Sequence, residues 1–331
     1  MSAGSSLPYK LRPNKAVDRE LFLSLLMRLA PRFGLEKYHY VGLGGPFLED
    51  FRLVHARLGI ERMTCIETEE EVHKRQLFNR PIASIECIHR GLEDYLDETD
   101  FDSPAIIWFD YTEPSGITSQ IERFARTIGT VPIGSILRVT LNANPASLGR
   151  PDPKDLSVEV DGEVSGDRAQ KPTIQEWRLA RFKSRLGGLF PSGLSADGMN
   201  FKSYGSSLLR VLKLAVDREA LSFKDRQIVW ALATHYADGQ PMVTASLVVC
   251  HRDDEATEEL IKNWEFYSTT DVPHRLDLPA ISTLERLTME SVEEPQWIMG
   301  FDLPRSDMGE DPFGVFRKFY RIYPHFSRVE L

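Results

Sequence analysis

The sequence predicts an α/β protein with a doubly wound, mostly parallel sheet of seven strands that finishes in an antiparallel hairpin. From residue 37 to residue 144, short apolar runs alternate with segments of helical periodicity. Parallel neighbouring strands require such crossover connections. Between residues 227 and 250, two β-rich runs flank a turn at Asp238-Gly239, which is the pattern of a hairpin.

Five apolar runs mark the parallel strands. They are KYHYVGL (37–43), ERMTCIE (61–67), IASIECI (82–88), PAIIWFD (104–110) and GSILRVTLN (134–142). Helical patterns separate them at 47–59, 68–81, 91–96 and 115–129. Because parallel strands end at one edge of a sheet, the segments that follow them should form a common site there.

The pattern divides the chain into three parts. A helical pattern that begins near Asp18 and stops at Pro31 predicts an N-terminal helical cap over residues 1–36. The central domain covers residues 37–250 and contains an insertion at 145–199, which is polar and rich in Gly and Pro. Residues 251–331 are a mixed C-terminal extension that we expect to pack on the same domain.

Composition is typical of a globular cytoplasmic protein. The net charge is −9, and the sequence shows neither a secretory signal nor an apolar run of membrane length. The acidic balance argues against binding of extended duplex DNA. A basic stretch at residues 8–37 suits an anionic small molecule or a short nucleic acid, unless it is only a solvated helix face. Cys65, Cys87 and Cys250 form no CxxC pair, so we expect reduced core residues.

A glycine loop, Gly42-Leu43-Gly44-Gly45, follows the first strand and precedes a helix. Glycines there let a ligand approach the backbone, and the helix N-terminus offers free N–H groups. Glu67, followed by Thr68, ends the second strand about twenty residues on, where a carboxylate can accept ribose hydroxyls. Dinucleotide enzymes require a third glycine, and Phe47 occupies that position. S-adenosylmethionine (SAM) has no pyrophosphate and tolerates a shorter loop.

The order of elements resembles that of class I SAM-dependent methyltransferases, which share a Rossmann-like sheet of seven strands. The resemblance covers residues 37–144 and 200–250. Three segments also resemble a bacterial family of "putative O-methyltransferases": YKLRPNKAVDR (9–19), YVGLGGPFLEDF (40–51) and FYRIYPHFSRV (319–329). The resemblance implies SAM as the cofactor and methyl transfer to an oxygen or nitrogen atom.

Candidate site residues follow the strands. In the resembling enzymes, the position of Arg90-Gly91-Leu92 often holds the adenine. Asp110 ends the fourth strand and is the first candidate for contact with both the cofactor and the reacting atoms. Tyr111 and Glu113 follow it and are further catalytic candidates, as a pocket wall and an acceptor ligand. An aromatic beside an apolar strand can equally be a core residue, and Glu113 can equally be solvated.

Further candidates would bind the substrate. Asn142 and Asn144 follow the fifth strand, where they could hydrogen-bond the acceptor or simply shape a turn. Arg12 and Lys15, with Arg19 beside them, precede the first strand, where methyltransferases often carry a segment that covers the substrate. The eight histidines show no paired metal-ligand spacing, so we expect no catalytic metal.

The acceptor is not encoded in a recognisable motif. DNA amino-methyltransferases usually carry an (Asp/Asn/Ser)-Pro-Pro-aromatic tetrapeptide after the fourth strand, whereas residues 110–114 read DYTEP. No cysteine follows a proline, which excludes the nucleophile of cytosine C5 methylation. A small molecule, RNA or protein therefore remains as acceptor. The sequence leaves open whether the chain forms a homo-oligomer.

Two rival functions stay open. The first is a catalytically silent module that binds SAM or a protein partner. The second is an NAD-dependent oxidoreductase with a degenerate loop. For a methyltransferase, proximity and orientation would be the main catalytic effect, because the reaction is an in-line displacement.

Overall fold

The computed structural model describes residues 12–152, 171–305 and 308–323, and an eight-stranded sheet runs through them. The strands are β1 (His39–Gly42), β2 (Met63–Glu67), β3 (Ile85–His89), β4 (Ala105–Asp110), β5 (Ile136–Asn142), β6 (Arg226–Asp238), β7 (Gln240–His251) and β8 (His274–Leu276). Their order across the sheet is β3-β2-β1-β4-β5-β7-β6-β8.

Parallel pairing joins the first five strands, as the alternating pattern predicts. β1 lies between β2 and β4 and pairs in parallel with both, so the strand order reverses there and a crevice forms at the carboxyl ends. β7 pairs antiparallel with β5 and β6, and Gly239 at the hairpin turn has a φ of +91°. The predicted mostly parallel sheet with its terminal hairpin is confirmed.

The predicted number of seven strands is wrong. β8 adds an eighth strand in parallel at the β6 edge, where Thr234 to Tyr236 pair with His274 to Leu276. A strand of three residues is too short for alternation to identify it. Its position depends on pairing with a distant strand, which local sequence does not report.

Helices cover both faces of the sheet. They are α1 (Pro13–Phe33), α2 (Glu49–Leu58), α3 (Glu70–Asn79), α4 (Leu92–Glu98), α5 (Ile117–Thr130), α6 (Ile174–Leu186), α7 (Tyr204–Ala220), α8 (Glu255–Lys262), α9 (Thr283–Ser291), α10 (Pro295–Met299) and α11 (Pro312–Phe319). One buried cluster contains side chains of α1, α2 and α11, and the other contains side chains of α5 and α7.

The first helix is longer at both ends than its sequence pattern suggests. It begins at Pro13, since proline at the first helical position has no N–H to leave unpaired. Pro31 does not end the helix, which continues for two more residues although this proline has no N–H to donate to the preceding turn. The helix ends after Phe33, where Gly34 adopts a left-handed conformation and its N–H donates to the carbonyl of Ala30.

The C-terminal segment packs on the same face of the sheet as α1. Leu276, Phe316 and Phe319 belong to the buried cluster that also holds Val17 and Leu21 of α1. The division into a cap, a central domain and an extension stays a prediction. Among the described residues, no helix combines the length and the apolar character needed to cross a membrane.

Candidate active site

The glycine loop packs so tightly against β2 that Gly44 leaves no room for a side chain. A Cβ at Gly44 would lie 2.6 Å from Sγ of Cys65 and 2.7 Å from Cδ2 of Leu48. Gly45 is required for a different reason, because its φ is +50°. Its carbonyl accepts a 3.2 Å hydrogen bond from Nε2 of Gln76, so α3 supports the loop. Bare backbone therefore lies at the carboxyl end of β1.

The other two loop residues have less specific surroundings. Gly42 is the last residue of β1, and a Cβ there would make an ordinary 3.6 Å contact with Cβ of Trp108. Leu43 is half-buried and packs against the cluster under α5 and α7. The steric requirement for glycine is thus concentrated at Gly44 and Gly45.

Glu67 ends β2 with its carboxylate folded onto the next turn. Its Oε1 accepts hydrogen bonds from the backbone N–H groups of Thr68 and Glu69, at 2.8 and 2.9 Å. No group among the described residues hydrogen-bonds to its Oε2. The Thr68 carbonyl lies 2.9 Å from Nε2 of His89, which joins the ends of β2 and β3. One carboxylate oxygen is therefore held in place and the other is available to a ligand.

The segment predicted to hold adenine offers backbone rather than side chains. Arg90 forms an ion pair with Glu98, and Leu92 is buried in the core. Gly91 directly precedes α4, and a Cβ there would lie 3.0 Å from Oδ2 of Asp94. The backbone at Arg90 and Gly91 is the part of this segment that a planar base could approach.

Arg19 of α1 connects the helix after the glycine loop to the end of β4. Its Nε donates to both carboxylate oxygens of Asp50, at 2.8 and 3.1 Å, and its Nη2 lies 3.8 Å from Oδ2 of Asp110. Its guanidinium stacks over the Trp108 ring at 5.0 Å. Burial alone would lower the pKa of Arg19, but Asp50 and Asp110 raise it above its ordinary value. Arg19 therefore stays charged.

Lys15 adds a second cation on the same side of the sheet. The charge of Arg19 and burial lower the pKa of the Lys15 ammonium, while Asp110 and Asp50 oppose that shift. The backbone N–H of Lys15 donates to Oδ2 of Asp238, at 2.8 Å. Two cations and two carboxylates thus share one side of the crevice.

The start of α1 is attached to the β6–β7 hairpin and to the C-terminal segment. Asn14 donates to Oδ1 of Asp238 at 3.0 Å and accepts from the N–H of Leu278 at 2.8 Å. Arg12 precedes the helix, and its charge contributes to lowering the pKa of Lys15. The structure therefore places Arg12, Lys15 and Arg19 together at this end of α1.

Tyr111 and Glu113 lie away from the charge cluster formed by Lys15, Arg19, Asp50 and Asp110. The Tyr111 hydroxyl donates to Oε1 of Glu93, at 2.8 Å, and its ring packs 5.9 Å from that of Phe109. Burial raises the pKa of the Tyr111 hydroxyl. Glu113 is exposed, and its Oε1 accepts a 3.1 Å bond from the N–H of Ser115. Of the three catalytic candidates, Asp110 is the one that the described residues show in an ion pair with α1.

Asn142 and Asn144 both make local hydrogen bonds. Asn142 donates to the carbonyl of Thr112 at 3.0 Å and accepts from the N–H of Asn144 at 3.0 Å. Asn144 accepts from the N–H of Ala146 and donates to Oε1 of Gln240. These contacts join the loops after β4 and β5 to the hairpin, so the pair shapes the rim of the crevice.

Sequence reasoning missed Asp50 and Tyr236. Asp50 lies in the first turn of α2, where acids are common because the helix dipole stabilises them. Its role as the partner of Arg19 therefore had no local signal. Tyr236 is buried, which raises the pKa of its hydroxyl, and Asp18 and Asp110 add to that shift. Its proximity to these acids depends on the pairing of distant strands.

A model of one protein family matches residues 7–331 and is described as "Putative O-methyltransferase". The chain belongs to this family. The membership confirms the predicted class, a methyltransferase that uses SAM as its cofactor. No curated protein matches the sequence.

Solved methyltransferase structures show a distant likeness. The N-methyltransferase NodS from Bradyrhizobium japonicum is 9% identical, with 71% of this chain and 97% of that chain covered and a TM-score of 0.36. The plantazolicin methyltransferase BamL, in complex with a triazolic desmethylPZN analog and S-adenosylhomocysteine (SAH), is 12% identical, with 72% and 87% covered and a TM-score of 0.36. A structure from Clostridium thermocellum described as a "putative rRNA-methylase" is 10% identical, with 69% and 96% covered and a TM-score of 0.34.

Proposed function

We propose that the protein transfers a methyl group from SAM to an oxygen or nitrogen atom of its acceptor at the carboxyl edge of β1, β2 and β4. The observation that carries the proposal is the sterically enforced glycine at Gly44, one strand away from Glu67. The backbone there is bare, and the Glu67 carboxylate is fixed by two N–H groups. This combination fits an adenosyl ligand with a ribose and no pyrophosphate.

The cofactor contacts divide between the two sides of β1. Glu67 would accept the ribose hydroxyls, with Thr68 beside it, and the backbone at Arg90 and Gly91 would lie along the adenine. The loop from Gly42 to Gly45 would approach the amino-acid end. That end is zwitterionic, and the mixed cluster of cations and carboxylates around Asp110 offers a partner for each of its charges.

SAM supplies a methyl group on a sulfonium, which makes the reaction an in-line displacement. The protein then has to align the acceptor and exclude water, which are effects of proximity and desolvation. Asp110 is positioned to orient the reacting groups, and α1 shields this side of the crevice. Arg12 and Lys15 would bind an anionic group of the acceptor, and Asn142 and Asn144 would shape the opposite rim.

A second candidate is a catalytically silent SAM-binding module. The internal hydrogen bonds of Tyr111 and Glu113 favour it, because they engage two of the three catalytic candidates within the protein itself. A silent module would bind SAM and SAH. It would never convert SAM to SAH, whichever small-molecule, RNA or protein fraction is added. Production of SAH with an added acceptor fraction would exclude it.

Calorimetric titration with SAM, SAH and NAD tests the cofactor assignment. We expect micromolar binding of SAM or SAH to the native protein and a loss of at least about tenfold in Glu67→Ala, since hydrogen bonds to a carboxylate contribute about 1.5–3 kcal/mol. Glu69→Ala is the matched control, because its side chain is exposed two residues further on. Preferential binding of NAD, or equal losses in both variants, would overturn the proposal.

A further inference from the structure

Cys65 and Cys87 lie side by side although they are 22 positions apart in the sequence. They pair directly in the parallel register of β2 and β3, and both are free thiols. Adjacent strands are about 4.8 Å apart, within the Cα separation of roughly 4.4–6.8 Å that a disulfide spans. Paired residues of parallel strands project to the same face, so the two thiols lie on one side of the sheet.

The two thiols differ in exposure and in acidity. Cys65 is fully buried, and burial raises the pKa of its thiol. Cys87 is half-buried on the edge strand β3. The neighbouring Cys65 thiol lowers the pKa of the Cys87 thiol, and the nearby charge of Arg80 adds to this effect. Cys87 is therefore the more accessible and the more acidic of the two thiols, and Cys65 is positioned to react with it in a second step.

The buried thiol also contacts the glycine loop. Sγ of Cys65 lies 2.6 Å from the position that a Cβ on Gly44 would take. The glycine loop therefore packs on Cys65, which in turn pairs with Cys87 on the neighbouring strand. Any displacement of the Cys65 sulfur changes the surface on which the loop rests.

We propose that Cys65 and Cys87 form a disulfide on reaction with a hydroperoxide, and that this bond loosens the glycine loop and weakens cofactor binding. The Cys87 thiolate attacks the peroxide, takes up one oxygen as a sulfenic acid and releases the alcohol, or water from hydrogen peroxide. The Cys65 sulfur then attacks the sulfenic sulfur, forms the S–S bond and releases water. The two thiols lose two electrons and two protons, and the peroxide is reduced.

Treatment of the full-length protein with hydrogen peroxide tests the disulfide. We expect a mass loss of about 2 Da that dithiothreitol reverses, with Cys65 and Cys87 joined in a proteolytic map. Cys87→Ser should lose this response, whereas Cys250→Ala, which removes the buried third cysteine on β7, should retain it. Addition of oxygen atoms to Cys87 without a disulfide, or a bond between two molecules, would overturn the proposal.

Coupling to the loop is measured by amide hydrogen exchange over residues 40–51 and by SAM titration, with reduced and oxidised protein compared. We expect faster exchange and at least about tenfold weaker SAM binding after oxidation, with no change in Cys87→Ser. A disulfide that leaves both quantities unchanged would overturn the coupling. This effect on SAM rests on the proposed function, which fails if the reduced protein does not bind SAM. In that case the mass change still tests the disulfide, and amide hydrogen exchange still tests its effect on the loop.

Discussion

Nη2 of Arg138 lies 2.6 Å from Oδ2 of Asp18, and neither side chain has exposed surface. The pair joins α1 to β5 across the buried face of the sheet. The second oxygen of Asp18 accepts hydrogen bonds from the hydroxyl groups of Thr234 and Thr244, at 2.6 and 2.9 Å. Since Arg19 follows Asp18 in the chain, this network also fixes the part of α1 that faces the candidate site.

Asp18→Ala should strongly destabilise the fold, because it leaves the Arg138 guanidinium buried without its carboxylate. Removal of one partner of a buried pair costs roughly 3–5 kcal/mol, and urea denaturation measures the free energy of unfolding. Asp102→Ala is the control, since its ion pair with Arg62 is exposed, and it should unfold close to the native protein. Similar losses in both variants would show that the buried network adds no stability of its own.

Much of the parallel half of the fold could be predicted because its signals are local. Each β-type run is followed by a helical pattern within a few residues, and the glycine loop with Glu67 lies on two such units. Those signals depend on residue type and spacing alone. The parallel sheet and the hairpin were predictable for this reason, whereas the family was suggested by the resemblance of three short segments.

The remainder depends on contacts between distant segments. Arg138 is a charged residue inside an apolar strand, and its partner Asp18 is 120 positions away. Asp50 and Asp238 hydrogen-bond to residues of α1 only because this helix packs across the sheet between them. Local periodicity reports which side of an element is buried, but it does not identify the distant element that covers it.

Gly44→Ala should disrupt the glycine loop and with it the binding of SAM. The new Cβ would overlap Sγ of Cys65 and Cδ2 of Leu48, and such overpacking typically costs about 1–3 kcal/mol. Gly188→Ala is the matched control, because a Cβ there has no neighbour within 4 Å. Thermal unfolding and SAM titration measure the two effects. Undiminished SAM binding in Gly44→Ala would mean that the cofactor does not use this loop.

Arg19→Gln should weaken SAM binding by about tenfold or more, since it removes the cation that contacts Asp50 and approaches Asp110. Arg52→Gln on α2 is the control, because that side chain is exposed. Circular dichroism would show whether both variants remain folded. Unchanged affinity for SAM in a folded Arg19→Gln protein would show that the charge cluster is not part of the proposed cofactor site.

The folded protein should lose stability as the pH falls from about 6.5 towards 4. His39, His235 and His274 are buried, and desolvation is the largest cause that lowers the pKa of each imidazole to about 4. Between these pH values the unfolded chain binds protons that the folded protein does not. The free energy of unfolding therefore decreases on acidification, by up to about 1.4 kcal/mol per pH unit for each histidine.

His235→Leu isolates one of these contributions. Neither ring nitrogen of His235 has a hydrogen-bonding partner among the described residues, so the variant should be at least as stable as the native protein at pH 8. Urea denaturation from pH 8 to pH 4.5 should then show a shallower decline for the variant, and the difference between the two profiles should widen below about pH 6.5. Because other titrating groups are common to both proteins, they cancel in that difference. Parallel profiles would mean that His235 is protonated in the folded state as readily as in the unfolded chain.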